Sequence, residues 1–201
     1  MTAVVFDVGN VLLDWDARRI YRDHFPDDPA IDAFFEEIGF FAWNIEQDRG
    51  RSWADGVAWL SERHREHADL IALADTDWQR SVPGAIQETV EILANLKAAG
   101  TPLYAITNFS AEKWDECLVR FPFLTNSFRG VFVSAHEKLI KPDPAIFELF
   151  LQRYEQIAED CIFIDDSPAN VASALALGFD ALQFQTPSRL AAQLSERGLL
   201  A

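Results

Sequence analysis

The run Cys161-Ile162-Phe163-Ile164 ends on two carboxylates, Asp165 and Asp166, before Ser167-Pro168 opens a new pattern. Consecutive apolar residues without polar alternation describe a strand buried on both faces, the state of strands in a parallel sheet covered by helices. Ala3–Phe6 and the runs at 102–107, 131–134 and 181–184 read the same way. Helical patterns lie between the later runs. Residues 88–99 carry Val90, Ile92, Leu93 and Leu96 and stop at Gly100. Residues 144–154 start on Pro144 and line up Ile146, Phe147, Phe150 and Leu151, and 170–177 stops at Gly178. Strand and helix in alternation predict an α/β fold, a doubly wound parallel sheet.

One stretch breaks the alternation. Between the first two strands, 31–41, 52–67 and 68–81 read as helices with aromatic faces built from Phe34, Phe35, Phe40, Phe41, Trp53 and Trp59. A crossover needs only about a dozen residues. The excess, residues 15–83, is expected to be an inserted helical cap, and residues 1–14 and 84–201 the core domain. An insert after the first strand emerges at the carboxyl edge of the sheet, where ligands bind, and there it becomes a lid.

The 201 residues include 17 Lys and Arg against 32 Asp and Glu, a net charge of −15. Such a chain repels nucleic-acid backbones and anionic lipid surfaces, so neither is an expected partner. An anionic substrate would need positive charge supplied locally. The two cysteines, Cys117 and Cys161, form no disulfide framework, and Cys161 heads an apolar run as a small core hydrophobe. No apolar run approaches the roughly 20 residues of a membrane span. The N-terminal residues lack the basic start and long apolar stretch of a signal peptide, so a cytoplasmic protein, monomer or homodimer, is expected.

Four polar patches stand at the ends of the expected strands: Asp7, Thr107-Asn108, Lys141, and Asp165-Asp166. In a parallel sheet these ends share one edge, so the patches converge. Three carboxylates packed together call for a cation, and oxygen ligands without His or Cys fit Mg²⁺ better than zinc. Lys141, the Thr107 hydroxyl and the Asn108 amide are donors suited to phosphoryl oxygens. A carboxylate such as Asp7 can act as a nucleophile toward phosphorus.

With these motifs in order, Val4-Val5-Phe6-Asp7-Val8-Gly9-Asn10-Val11, Ile106-Thr107-Asn108, Lys141-Pro142-Asp143-Pro144 and Ile164-Asp165-Asp166-Ser167, the chain resembles the haloacid dehalogenase superfamily over its whole length. The resemblance implies a Rossmann-like core with a cap and a phosphatase of small phosphorylated metabolites, some of its look-alikes acting on sugar phosphates. It implies Asp7 as nucleophile and metal ligand, with the Gly9 carbonyl and Asp166 as further Mg²⁺ ligands and Asp165 reaching the ion through water. Thr107, Asn108 and Lys141 would hold the phosphate, and Asn170 would orient the aspartate pair. Trp43 and Glu46, on what reads as a loop, would meet the leaving group.

One position departs from the family pattern. Phosphatases of this kind usually carry a second aspartate two residues after the nucleophile, as general acid and base; here it is Gly9. Asp14 and Asp16 are near in sequence, although helix-start carboxylates are the ordinary reading of both. Gly9 also suits a metal-independent 2-haloacid dehalogenase, or a binding protein without catalysis on the same scaffold. The paired Asp165-Asp166 argues against the dehalogenase, because without a metal it would leave three carboxylates repelling one another.

Overall fold

The computed structural model describes residues 2–200. Its strands are β1 (Ala3–Phe6), β2 (Leu103–Thr107), β3 (Gly130–Val133), β4 (Cys161–Asp165) and β5 (Asp180–Gln183). All pair in parallel, in the order β3-β2-β1-β4-β5. The central strand β1 is buried along its length, with Val5 in register with Tyr104 on one side and Phe163 on the other. Its residues alternate between two cores. Val4 and Phe6 point into one apolar cluster, while Ala3 and Val5 join Ile106, Phe147, Phe150 and Phe163 in the second. This is the two-sided burial that the unbroken apolar runs predict.

The chain between β1 and β2 is helical: α1 (Asp28–Ile38), α2 (Phe40–Asp48), α3 (Trp53–Arg63) and α4 (Ala68–Thr76), with single 3-10 turns at Ala17–Ile20, Arg65–His67 and Trp78–Ser81. The expected single helix over 31–41 is divided. Gly39 takes a left-handed φ of 66°, and its N–H caps the α1 carbonyls of Phe35 and Glu36. That conformation suits glycine and ends a helix. The chain restarts as α2, so the segment holding Trp43 and Glu46 is a helix and not a loop.

The core side completes the sheet with α5 (Gln87–Ala98), α6 (Ala111–Arg120), α7 (Phe123–Asn126), α8 (Ser134–Glu137), α9 (Pro144–Arg153), α10 (Pro168–Ala176) and α11 (Pro187–Glu196). Prolines in the first turns of α9, α10 and α11 have pre-set φ and no N–H to leave unpaired. The chain leaves and re-enters the core side by side: the Asp14 N–H donates to the Gly84 carbonyl at 3.1 Å, and the Ile86 N–H to Leu12 at 2.8 Å.

The helices of residues 28–81 share one apolar cluster with the sheet. Ile31, Phe34, Phe35, Phe40, Trp43 and Trp53 belong to the same apolar cluster as Val4 and Phe6. Polar ties cross the same boundary: Trp53 Nε1 donates to Ser110 Oγ at 2.7 Å, and Lys113 Nζ lies 2.8 Å from Asp75 Oδ1. Both cysteines are free and buried. Among the described residues no helix is long and apolar enough to cross a membrane.

Candidate active site

Asp7 directly follows β1, and its N–H still donates to the Ile164 carbonyl at 2.8 Å, so the sheet ladder aims it. Its Oδ1 accepts the Val8 N–H at 2.7 Å and lies 2.9 Å from Lys141 Nζ. The same ammonium lies 2.6 Å from Asp165 Oδ2. Lys141 comes from the loop before α9 and is held there by the amide of Asn108, which donates to the Lys141 carbonyl at 3.0 Å and accepts its N–H at 2.9 Å. The end of β2 thus clamps a lysine between the ends of β1 and β4.

Asp165 is fully buried and fully partnered. Besides Lys141, it accepts the Ser167 N–H at 2.9 Å and the Asn170 amide at 3.0 Å on each oxygen. Asp166 instead faces the cleft, where the nearby Asn10 side chain favours its ionised form. Asn10 sits at φ 54°, a left-handed conformation that asparagine tolerates, and its carbonyl oxygen also accepts the Trp15 N–H at 3.2 Å.

Charge is concentrated here. Burial pushes the Asp7 carboxyl up to about 7; Lys141 opposes this, while Asp165 and Asp166 add to it. Burial also raises Asp166, reinforced by Asp165 and opposed by the Asn10 side chain. For Lys141, burial alone would lower the ammonium, but Asp7 and Asp165 more than offset it, so it stays charged.

Oxygens of Asp7, Asp165 and Asp166 lie within 4.8 Å of one another. An all-oxygen donor set of this charge fits a hard divalent cation such as Mg²⁺. Asp165 has both oxygens engaged by protein donors, which suits contact through water, whereas Asp7 and Asp166 open to the cleft beside Gly9.

The cleft above this cluster has a volume of about 210 Å³. Its floor is Asp7, Gly9, Asn10, Asn108 and Asp166, and its opposite wall is Trp15, Asn44, Asp48, Trp53 and Trp78. Lys113 lines it too, but is neutralised by Asp75 and Glu116, each at 2.8 Å.

The structure brings Asp7, Gly9, Asn108, Lys141, Asp165 and Asp166 to one place, with Asn170 behind Asp165. Thr107 closes β2 and is sealed at 1% exposure, while its neighbour Asn108 reaches the cleft. Two expectations need correction. Trp43 is buried, donating its indole N–H to the Gly56 carbonyl at 2.7 Å, and Glu46 is exposed beside Arg49; neither lines the cleft. On a helix, residues four apart share a face, and the face of α2 toward the cleft carries Asn44 and Asp48. Asp14 pairs with Arg19 at 2.8 Å and Asp16 caps the 3-10 turn at Ala17–Ile20, so neither reaches the site. Asn10, Asn44, Asp48 and the tryptophan wall are what sequence reasoning misses. Reading α2 as a helix supplies the signal for Asn44 and Asp48.

With this geometry in place, the comparisons with known proteins are specific. Residues 1–178 match the family model of the haloacid dehalogenase-like hydrolases, and the chain belongs to that family of hydrolases. It is 25% identical to the sesquiterpene phosphatase astK of Aspergillus oryzae, over 88% of this chain and 86% of that one. It is 29% identical to hexitol phosphatase A of Escherichia coli, over 69% of this chain and 59% of that one. Other curated relatives are longer, and the chain spans as little as 18% of one of them. Among solved structures, a haloacid dehalogenase family enzyme from Bacteroides thetaiotaomicron in complex with magnesium and inorganic phosphate superposes with a TM-score of 0.72 at 20% identity, covering 92% of this chain and 94% of that one.

Proposed function

We propose that the protein is a Mg²⁺-dependent phosphatase of a small phosphorylated metabolite, a sugar phosphate first among them, acting through an aspartyl-phosphate on Asp7. The observation that carries this reading is the Lys141 ammonium shared by Asp7 and Asp165 beside a third carboxylate, Asp166. One cation among three carboxylates leaves the site short of positive charge, which suits a divalent ion together with a phosphoryl group.

Asp7, Asp166 and the Gly9 carbonyl are the groups to hold Mg²⁺, with Asp165 behind them. When bound, the ion shields the repulsion between Asp7 and an incoming phosphate. Val8 and Lys141 both engage Asp7 Oδ1, which leaves Oδ2 as the attacking oxygen. Lys141, with Asn108 at the end of β2, neutralises and positions the phosphoryl oxygens, while Thr107 is sealed behind them. Residues 15–83 act as a cap that excludes water over a core of 1–14 and 84–201. The tryptophan faces of the cap offer flat apolar surface to the leaving group, as the faces of a sugar ring require. Two buried free thiols suit a reducing cytoplasm.

Hydrolysis of p-nitrophenyl phosphate and of a sugar-phosphate panel, with and without Mg²⁺, tests the reading. Activity that needs Mg²⁺ and falls about 10⁴–10⁶-fold in Asp7→Asn is expected. Equal background hydrolysis by the wild type and Asp7→Asn would end it. Gly9 also suits metal-independent attack on carbon; chloride release from 2-chloropropionate without metal would favour that second reading.

A further inference from the structure

Splitting an alkyl or sugar phosphate requires a proton for the departing oxygen, and Gly9 cannot provide one. Crowding does not explain the glycine: a Cβ built there meets no atom within 4 Å. The role has therefore gone elsewhere. Among the described residues on the core side of the cleft, no carboxyl is free for it. Asp7 is the nucleophile, Asp165 has both oxygens engaged, and Asp166 belongs to the metal cluster. Lys113 is locked between Asp75 and Glu116.

Across the cleft stands Asp48, the last residue of α2 and the one carboxyl that the helices of residues 28–81 contribute to its lining. Its place is set by the core. Its backbone carbonyl accepts Ser134 Oγ at 2.6 Å, and the nearby Ser110 N–H favours the ionised carboxyl. Two residues on, Gly50 turns at φ 102° so close to the core that a Cβ would lie 2.9 Å from the Ala135 carbonyl oxygen. These backbone ties fix the end of α2 against the core, and with it the place of the Asp48 side chain over the cleft.

We propose that Asp48 is the general acid and base for the reaction at Asp7. The inference rests on the phosphatase reading above. In the first half-reaction Asp7 forms a bond to phosphorus, the bond from phosphorus to the leaving oxygen breaks, and Asp48 gives its proton to that oxygen. In the second, water attacks phosphorus and gives a proton to the Asp48 carboxylate. The bond to Asp7 then breaks, releasing inorganic phosphate and restoring both aspartates. Burial and the Asp7 charge hold the Asp48 carboxyl at about 7, the range in which one group both gives and takes a proton near neutrality.

The test compares two aromatic esters under single-turnover conditions with Mg²⁺. Benzyl phosphate has a leaving alkoxide that must be protonated; p-nitrophenyl phosphate leaves as a stable anion. Asp48→Asn is expected to slow phosphoryl transfer from benzyl phosphate about 10²–10⁴-fold and from p-nitrophenyl phosphate at least about tenfold less. Asp48→Glu, which keeps the carboxyl, is expected to recover at least about tenfold over Asp48→Asn on benzyl phosphate. Equal losses on both esters, no loss on either, or no recovery in Asp48→Glu overturns the proposal. A wild type no better than Asp7→Asn on either ester is a different failure: it removes the phosphatase reading and this inference with it.

Discussion

The two walls of the cleft are built on opposite principles. On the core wall, Lys141 bridges Asp7 and Asp165, Asn108 clamps Lys141, and Asn170 and Ser167 hold Asp165. On the other wall, the tryptophans are set by packing. Trp78 meets Phe109 edge-on at 5.8 Å, and Trp53 meets Trp43 at 5.5 Å. The first wall is a preorganised charge network, and breaking one member leaves buried charge unpaired. The second is a packed aromatic surface with Asn44 and Asp48 set into it. The sheet edge thus carries the charge network, and the helices add the tryptophan faces together with one carboxyl, Asp48.

The strongest challenge to this contrast is Lys141→Met, which removes the shared cation with little change in volume. It is expected to abolish turnover and to lower stability by about 3–5 kcal/mol, read from urea unfolding. A loss no larger than that of a tryptophan replacement would show that the core wall is not a network.

Metal dependence of stability comes next. Asp7 and Asp48 are pushed from an ordinary 3.8 to about 7. Between those values the folded protein holds protons that the unfolded chain has lost, so metal-free stability falls as pH rises from about 4 to about 7. Mg²⁺ bound to the ionised carboxylates would offset that loss, by about 2.7 kcal/mol at a hundredfold excess over its dissociation constant. Melting scans should therefore show a larger gain from Mg²⁺ near pH 8 than near pH 5, roughly. A gain that is equal at both would remove the coupling between metal and carboxyl ionisation.

Trp78→Phe keeps an aromatic face but reduces it. Steady-state kinetics should show KM for the best sugar phosphate rising roughly 2- to 10-fold with kcat nearly unchanged. A fall in kcat without a change in KM would show that Trp78 acts on the chemical step and not on binding. Smallest of all is Glu46→Gln, at an exposed site outside the cleft. Its kinetics should match the wild type, with stability within about 0.5 kcal/mol.

How much of this was readable depends on where each signal is stored. Every expected strand lies within a residue of the observed one, because burial on both faces writes itself as a contiguous apolar run. Asp7, Asp165 and Asp166 were readable for a related reason: each stands where a strand ends, and parallel strands end together; Lys141 instead lies past α8, on the loop before α9. The division at Gly39 was not, since a glycine inside an apolar pattern can be tolerated or can end the helix. Misreading α2 as a loop then put Trp43 and Glu46 in the cleft in place of Asn44 and Asp48. Thr107 and Asn108 show the same limit on a smaller scale, because adjacent residues of one motif point to different sides of the sheet edge.

By itself, the sequence determined the parallel sheet, the helical excess after its first strand and the polar patches that follow its strands. These follow from short-range patterning, which needs no partner to be read. Only the tertiary structure decided that one ammonium joins Asp7 to Asp165, that Asp166 opens to the cleft while Asp165 does not, and which face of α2 meets them. Those outcomes depend on how elements far apart in the chain approach in space, and the energy that selects them comes from long-range packing and charge that no local pattern contains.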